Sequence, residues 1–195
     1  MSYGSKTDSE GNALRAEGNI PVITGERVEG NEFVSLEMAK DKDGNLMENR
    51  SVLTIKQSNG ATFRVMFFDS EEDWAIKSTN EAMLHICTRI MPEADYYAAI
   101  AGSTTFQAFM TAIGTKVIPQ AAGKKFTMKI ILKHNKSSDA WFPNFPKFPN
   151  YVELDGTNPT TIGKTNPKYD IYAVPAKTAM AATPVAADST EGELF

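Results

Sequence analysis

The sequence predicts a mainly β, α+β domain: a small mixed antiparallel barrel with helices inserted between its third and fourth strands. Three observations predict it. Three consecutive stretches before residue 69 alternate as strands do; the apolar period then lengthens to that of helices up to about residue 117; alternation returns after Gly123. No strand–helix–strand succession occurs, which disfavours a doubly wound sheet. At 195 residues, 42% hydrophobic and 23% charged, the chain suits one soluble globule. We assign that domain to 20–177. Residues 1–19 and the Ala/Thr/Pro-rich, then acidic, 178–195 are expected to be mobile tails.

The first strand, 32–40, alternates loosely through Phe33, Leu36 and Met38, and Asp43-Gly44-Asn45 marks a turn. From Arg50 to Gln57 the alternation is clean, with Leu53 and Ile55 on one side and Arg50, Val52, Thr54 and Lys56 on the other. Asn59-Gly60 is a strong hairpin signal. After it Phe63, Val65 and Phe67 face one way, Thr62, Arg64 and Met66 the other. Glu71–Met91 then reads as a helix, with Ile76, Met83, Cys87 and Ile90 at helical spacing, Asp69 or Ser70 as N-cap, and acids in the first turn. Pro92 closes it or opens a short helix through Tyr96 and Tyr97, and a further helix spans about 104–117. In 124–134, Phe126, Met128, Ile130 and Leu132 are expected inward, and Lys125, Thr127, Lys129, Ile131 and Lys133 outward. Stretches 151–154 and 169–174 are shorter strand candidates.

Several classes of function are disfavoured. A single Cys (Cys87) excludes an internal disulfide, and with two His a Cys/His zinc site is out of reach. His85 and Cys87 stand two apart on a helix, so they diverge by about 200°; Cys87 is expected in the core and His85 at its edge. No phosphate-cradling glycine loop, nucleophile elbow or helical carboxylate pair occurs. We therefore expect no enzyme, no metal and no cofactor. No apolar run approaches the roughly 18 residues of a membrane span, and the first residues lack a secretory h-region. The expected compartment is the cytoplasm, that of the host if the chain is viral.

The net charge of −4 conceals a division. Residues 123–177 hold nine lysines against four acids; 178–195 hold three acids and no base; 1–122 hold eleven bases against seventeen acids. A chain divided in this way can bind a polyanion locally while remaining acidic overall. The basic stretch is also the aromatic one. In Trp141-Phe-Pro-Asn-Phe-Pro-Lys-Phe-Pro-Asn-Tyr151, Phe-Pro recurs three times at a spacing of three. Each Pro biases the preceding Phe toward extended geometry. A polyproline-type chain would then align Phe142, Phe145, Phe148 and Tyr151 on one side, about 9 Å apart. Rings beside lysines suit unpaired bases, stacking being worth about 1–3 kcal/mol per base while cations track phosphates. The same rings could instead fold over a barrel end as core, Trp141 then being the better candidate for an exposed ring. At the other extreme lies Asp188-Ser-Thr-Glu-Gly-Glu-Leu-Phe195. Such a tip could dock Phe195 in a partner's pocket or compete for the chain's own basic groove.

In organisation, over about 30–195, the chain resembles the single-stranded DNA-binding proteins of bacteriophages, with an OB fold and an acidic, Phe-ended C-terminal tail. The resemblance implies an OB-like five-stranded antiparallel barrel with helices between strands 3 and 4. It places Arg50, Lys56 and Arg64 on the binding platform and 135–150 in the long loop between the last two barrel strands. The implied function is sequence-independent binding of single-stranded DNA in phage replication, recombination and repair. Stacking would come from Trp141, Phe142, Phe145, Phe148 and Tyr151. Phosphate contacts would come from Lys124, Lys125, Lys129, Lys133 and Lys147 together with the strand bases. Asp188, Glu191, Glu193, Leu194 and Phe195 would dock on replication proteins such as a polymerase, helicase or primase. Self-association is left open. The alternatives are a non-enzymatic interaction or virion-associated module whose Phe-Pro loop docks on a protein, and an oligosaccharide-binding barrel.

Overall fold

The computed structural model describes residues 20–147 and 150–175. Both expected tails, 1–19 and 178–195, lie outside them, as do residues 176 and 177 of the expected domain. Six strands and three helices follow one another as β1 (Gly25–Lys40), β2 (Leu46–Lys56), β3 (Thr62–Phe68), α1 (Asp73–Ile90), α2 (Glu93–Ile100), α3 (Phe106–Ala112), β4 (Phe126–Asn135), β5 (Ala140–Asn144) and β6 (Val152–Leu154). The architecture is α+β: an antiparallel six-stranded sheet in the order β3-β2-β1-β4-β5, with β6 on β4. The path bends until β3 and β5 lie side by side, but among the described residues no ladder joins them. The sheet is thus barrel-like and open, and has six strands where five were expected.

β1 begins earlier than the alternation shows because its first half is rich in charge and glycine. Gly25, Val28 and Asn31 pair with β4; from Glu32 onward the strand pairs with β2. The handover falls just after Gly30, whose φ of 76° is open only to a residue without Cβ strain. The buried Asn31 side chain bridges the bend, donating to Phe126 O at 3.0 Å. A bulge at Val34 then turns that side chain to solvent. The β2–β3 hairpin forms as its sequence demands: Asn59 Oδ1 accepts from Ala61 N at 2.9 Å and Gly60 takes a φ of 87°.

α1 starts later than expected, after Glu72, and has no side-chain cap; Ser70 Oγ instead accepts from Glu72 N in the preceding turn. Pro92 both ends this region and opens α2. α3 is capped by Thr105, whose hydroxyl accepts from Ala108 N, and continues through a π-turn at Ile113–Val117 and a 3-10 turn at Ile118–Ala121. Gly114 in that π-turn sits on β1: a Cβ there would lie 2.1 Å from the Leu36 carbonyl oxygen. Leu53, Ile55, Phe63 and Val65 meet Met83, Ile86, Cys87 and Ile113 in one core closed by Phe126, Met128 and Ile130.

β4 corrects the sequence reading most. Thr127, Lys129 and Ile131, expected outward, are buried. The chain after β6 crosses over them. Leu132 N donates to Ile171 O at 2.6 Å, Thr127 Oγ1 to Asp155 at 2.7 Å, and Thr24 Oγ1 to Tyr172 O at 2.6 Å. Under this strap Lys129 Nζ lies 3.0 Å from Asp170 and 2.9 Å from Lys164 O. Asp170 also accepts from Asn166 N at 2.8 Å. Residues 169–174, expected as a strand, form this strap instead. Glu153 is tied to it: burial works to raise its pKa, but bonds from Thr160 and Thr161 with Arg27 nearby hold it below the usual carboxylate range.

Removing one member of the Lys129–Asp170 pair leaves a buried charge unpaired. Asp170→Ala is expected to lower stability by about 3–5 kcal/mol in urea denaturation. Lys129→Met with Asp170→Leu should recover part of that loss, because no charge is then left buried, while Lys164 O and Asn166 N still lose their partners.

Candidate functional site

β2 and β3 bury one face in the core and turn the other outward, so period-two alternation sorts cations and apolar groups onto one surface. Cross-strand pairs there are Arg50 with Phe68, Val52 with Met66, Thr54 with Arg64 and Lys56 with Thr62. Met66 is 51% exposed and Phe68 53%, high for large apolar side chains. The Arg50 guanidinium lies 5.0 Å from the Phe68 ring centroid, a cation–π contact, and its Nε is buried without a hydrogen-bond partner. Among the described residues none of Arg50, Lys56 and Arg64 is in a salt bridge, although Lys56 faces Glu32 across the ladder. The platform predicted on Arg50, Lys56 and Arg64 thus also carries Met66 and Phe68. Their positions follow from the same alternation, but its apolar members were not counted.

The β4–β5 hairpin adjoins this face along β3. The segment read as a polyproline row is a strand from Ala140 to Asn144, so its side chains alternate and do not share a side. His134 and Trp141 are cross-strand partners, stacked at 4.9 Å, with His134 Nε2 2.9 Å from Asp139 Oδ1. Trp141 is only partly exposed. With Pro143, Leu132 and Gly60–Thr62 it lines a hollow of about 560 Å³. On the opposite parity Lys133 pairs with Phe142, which is 38% exposed. Lys133, Asn144 and Lys147 line a second hollow of about 220 Å³ with Met66, Ser78 and Thr79. Surrounding protein desolvates the Lys133 amine and holds its pKa below the usual lysine range, although the residue as a whole stays exposed.

Other expected site residues are placed elsewhere. Phe145 and Tyr151 are buried and stack on each other at 4.6 Å, so these rings are core. Burial raises the Tyr151 pKa. Lys129 is locked under the strap. Lys124 donates to Ile90 O at 2.7 Å, and Lys125 is paired with Glu32. Phe148 and Asp188, Glu191, Glu193, Leu194 and Phe195 lie outside the described residues. No group of three His, Cys, Asp or Glu is placed to hold a metal among the described residues, and no helix there is long and apolar enough to cross a membrane.

His85 fixes this side of the site from below. Its Nε2 accepts from Tyr151 N at 3.1 Å and Val152 N at 3.2 Å, and its ring packs edge-on against Tyr151. An accepting Nε2 requires the unprotonated nitrogen. Burial, with Arg89 adding repulsion, lowers its pKa to about 4. Cys87 is in the core, its thiol pushed up to about 12 by burial. Neither family models, nor curated proteins, nor solved structures contain a match to this chain.

Because the folded pKa of His85 lies below the unfolded value of about 6.5, the unfolded chain takes up the proton first. The His85 contribution is therefore complete above about pH 6.5, is lost as pH falls toward 4, and levels off below. Thermal melts of wild type should lose more stability across that window than those of His85→Gln, whose amide oxygen can accept without titrating.

Proposed function

We propose that the chain is a non-catalytic protein that binds single-stranded DNA without sequence preference. The observation that carries this reading is the outer face of β2–β3. Arg50, Lys56 and Arg64 alternate there with exposed Met66 and Phe68, beside the lysine-lined hollow of Lys133 and Lys147. Solvent-facing rings can stack only on unpaired bases, and cations between them match the phosphate spacing loosely enough to ignore sequence. The strand order, with β1 shared between β2 and β4, β5 beside β3, and helices between β3 and β4, supports an OB-like barrel. In such a fold the β2–β3 face and adjoining loops hold oligonucleotides. Replication, recombination and repair of phage DNA in the host cytoplasm is the setting this reading favours. The acidic Phe-ended tail would dock on replication proteins and compete for the platform.

About five cations remain for phosphate: Arg50, Lys56, Arg64, Lys133 and Lys147. At about 0.7 per contact, log K for oligo-dT should fall with log salt at a slope near −3.5; a flat dependence would overturn the reading. Phe68→Ala should weaken binding by about 1–3 kcal/mol. Poly-dT should quench wild-type Trp fluorescence and leave Trp141→Ala largely unquenched; equal quenching in both moves stacking away from the hairpin. Deleting 188–195 should tighten binding at low salt, and unchanged affinity would remove the tail as a competitor.

A further inference from the structure

A groove of about 510 Å³ lies between the end of β3, α1, α2 and the start of α3. Its floor is apolar: Tyr96 is buried, and Leu84, Phe106 and Phe109 are half-buried. Its lip exposes Ile76 and Tyr97, the latter 51% accessible, with Trp74 at 73% on the same helix as Ile76. Exposed aromatic and aliphatic groups around a concave floor are characteristic of an interaction site.

The charge of the lip limits what can enter. Asp69 and Glu81 line the groove, and no Lys, Arg or His does. Residues 69–100 hold seven acids against two bases. Glu81 has only an exposed contact with Lys77 at 3.9 Å, which neutralises it weakly. A phosphate backbone is repelled here, and so is the chain's own tip at 188–195, which has three acids and no base.

We propose that this groove docks a basic amphipathic segment of a protein partner. Apolar side chains at i, i+3 or i+4, and i+7 would seat on Tyr96, Leu84, Phe106 and Phe109, and lysines or arginines on the polar side would meet Asp69 and Glu81. The groove adjoins the β2–β3 face: Phe68 lies on both, and Glu81 also lines the hollow of Lys133 and Lys147.

The test uses the full chain and a fluorescein-labelled amphipathic Leu/Lys helix, with a scrambled peptide of identical composition as control. Anisotropy should report binding of the amphipathic peptide and much weaker binding of the scrambled one. Tyr97→Ala, an exposed position that leaves the core intact, should weaken the amphipathic peptide by roughly tenfold, as should Asp69→Lys with Glu81→Lys. Arg64→Glu, on the sheet face, should not weaken it. Equal affinity for both peptides, or groove variants that bind like wild type, would overturn the proposal. So would self-association in sedimentation velocity that Tyr97→Ala abolishes, because the occupant would then be a second copy of the chain. Binding of an apolar dye at Tyr97 that saturating peptide fails to displace would overturn it too, in favour of a small ligand.

Discussion

The fold depends on β4 being buried on both faces from Phe126 to Ile131. Its first half is paired with β1 on one edge and β6 on the other, its second half with β5, and one face closes the core. What permits the other face to be buried is the Lys129–Asp170 pair beneath the strap. Two charges removed from water gain little net free energy from each other. Their effect is to fix one arrangement: Lys129 has its partner only when 155–172 lies across the strand. That crossing also positions Thr127 against Asp155 and Glu153 against Thr160 and Thr161. A cation on a strand's outer parity, ordinarily a solvated group, has become the anchor of the cover.

Much of the architecture was legible where the information is local. The β2–β3 hairpin needs only alternation and Asn59-Gly60, and both are contiguous in sequence. The helices announced themselves through period and through Pro92. The reading failed where distant chain decides. Parity alone sends Lys129 outward; only a segment some forty residues later explains its burial. The triple Phe-Pro spacing gave a polyproline row, whereas Pro143 sits in a strand on the edge of the sheet, where a missing N–H is tolerated. Phe145 and Tyr151 are drawn into the core by each other and by His85, a contact across 66 residues. Conversely, Met66 and Phe68 lay in plain sight on the solvent parity of a correctly read strand.

The charge division of the sequence becomes a division of surfaces. Bases of β2, β3 and the β4–β5 hairpin stand beside the exposed rings of the sheet, where Glu32 and Glu37 of β1 also face Lys56 and Val52, while Asp69 and Glu81 line the groove. Several lysines that contribute to the basic count, Lys124, Lys125 and Lys129, are engaged internally. The number of free cations is therefore smaller than composition implies, and their location is more confined.

Gly114 joins these two surfaces. With the Leu36 carbonyl where a Cβ would stand, the turn after α3 is seated directly on β1. That strand is paired with β2 of the sheet face, and α3 carries Phe106 and Phe109 of the groove. No linker or hinge intervenes and Phe68 lies on both, so the two faces adjoin in a fixed relation. Anything held at both would be registered on a rigid ruler. A short flexible connection between two such ligands would give an effective concentration on the order of millimolar, without any change of shape in the protein.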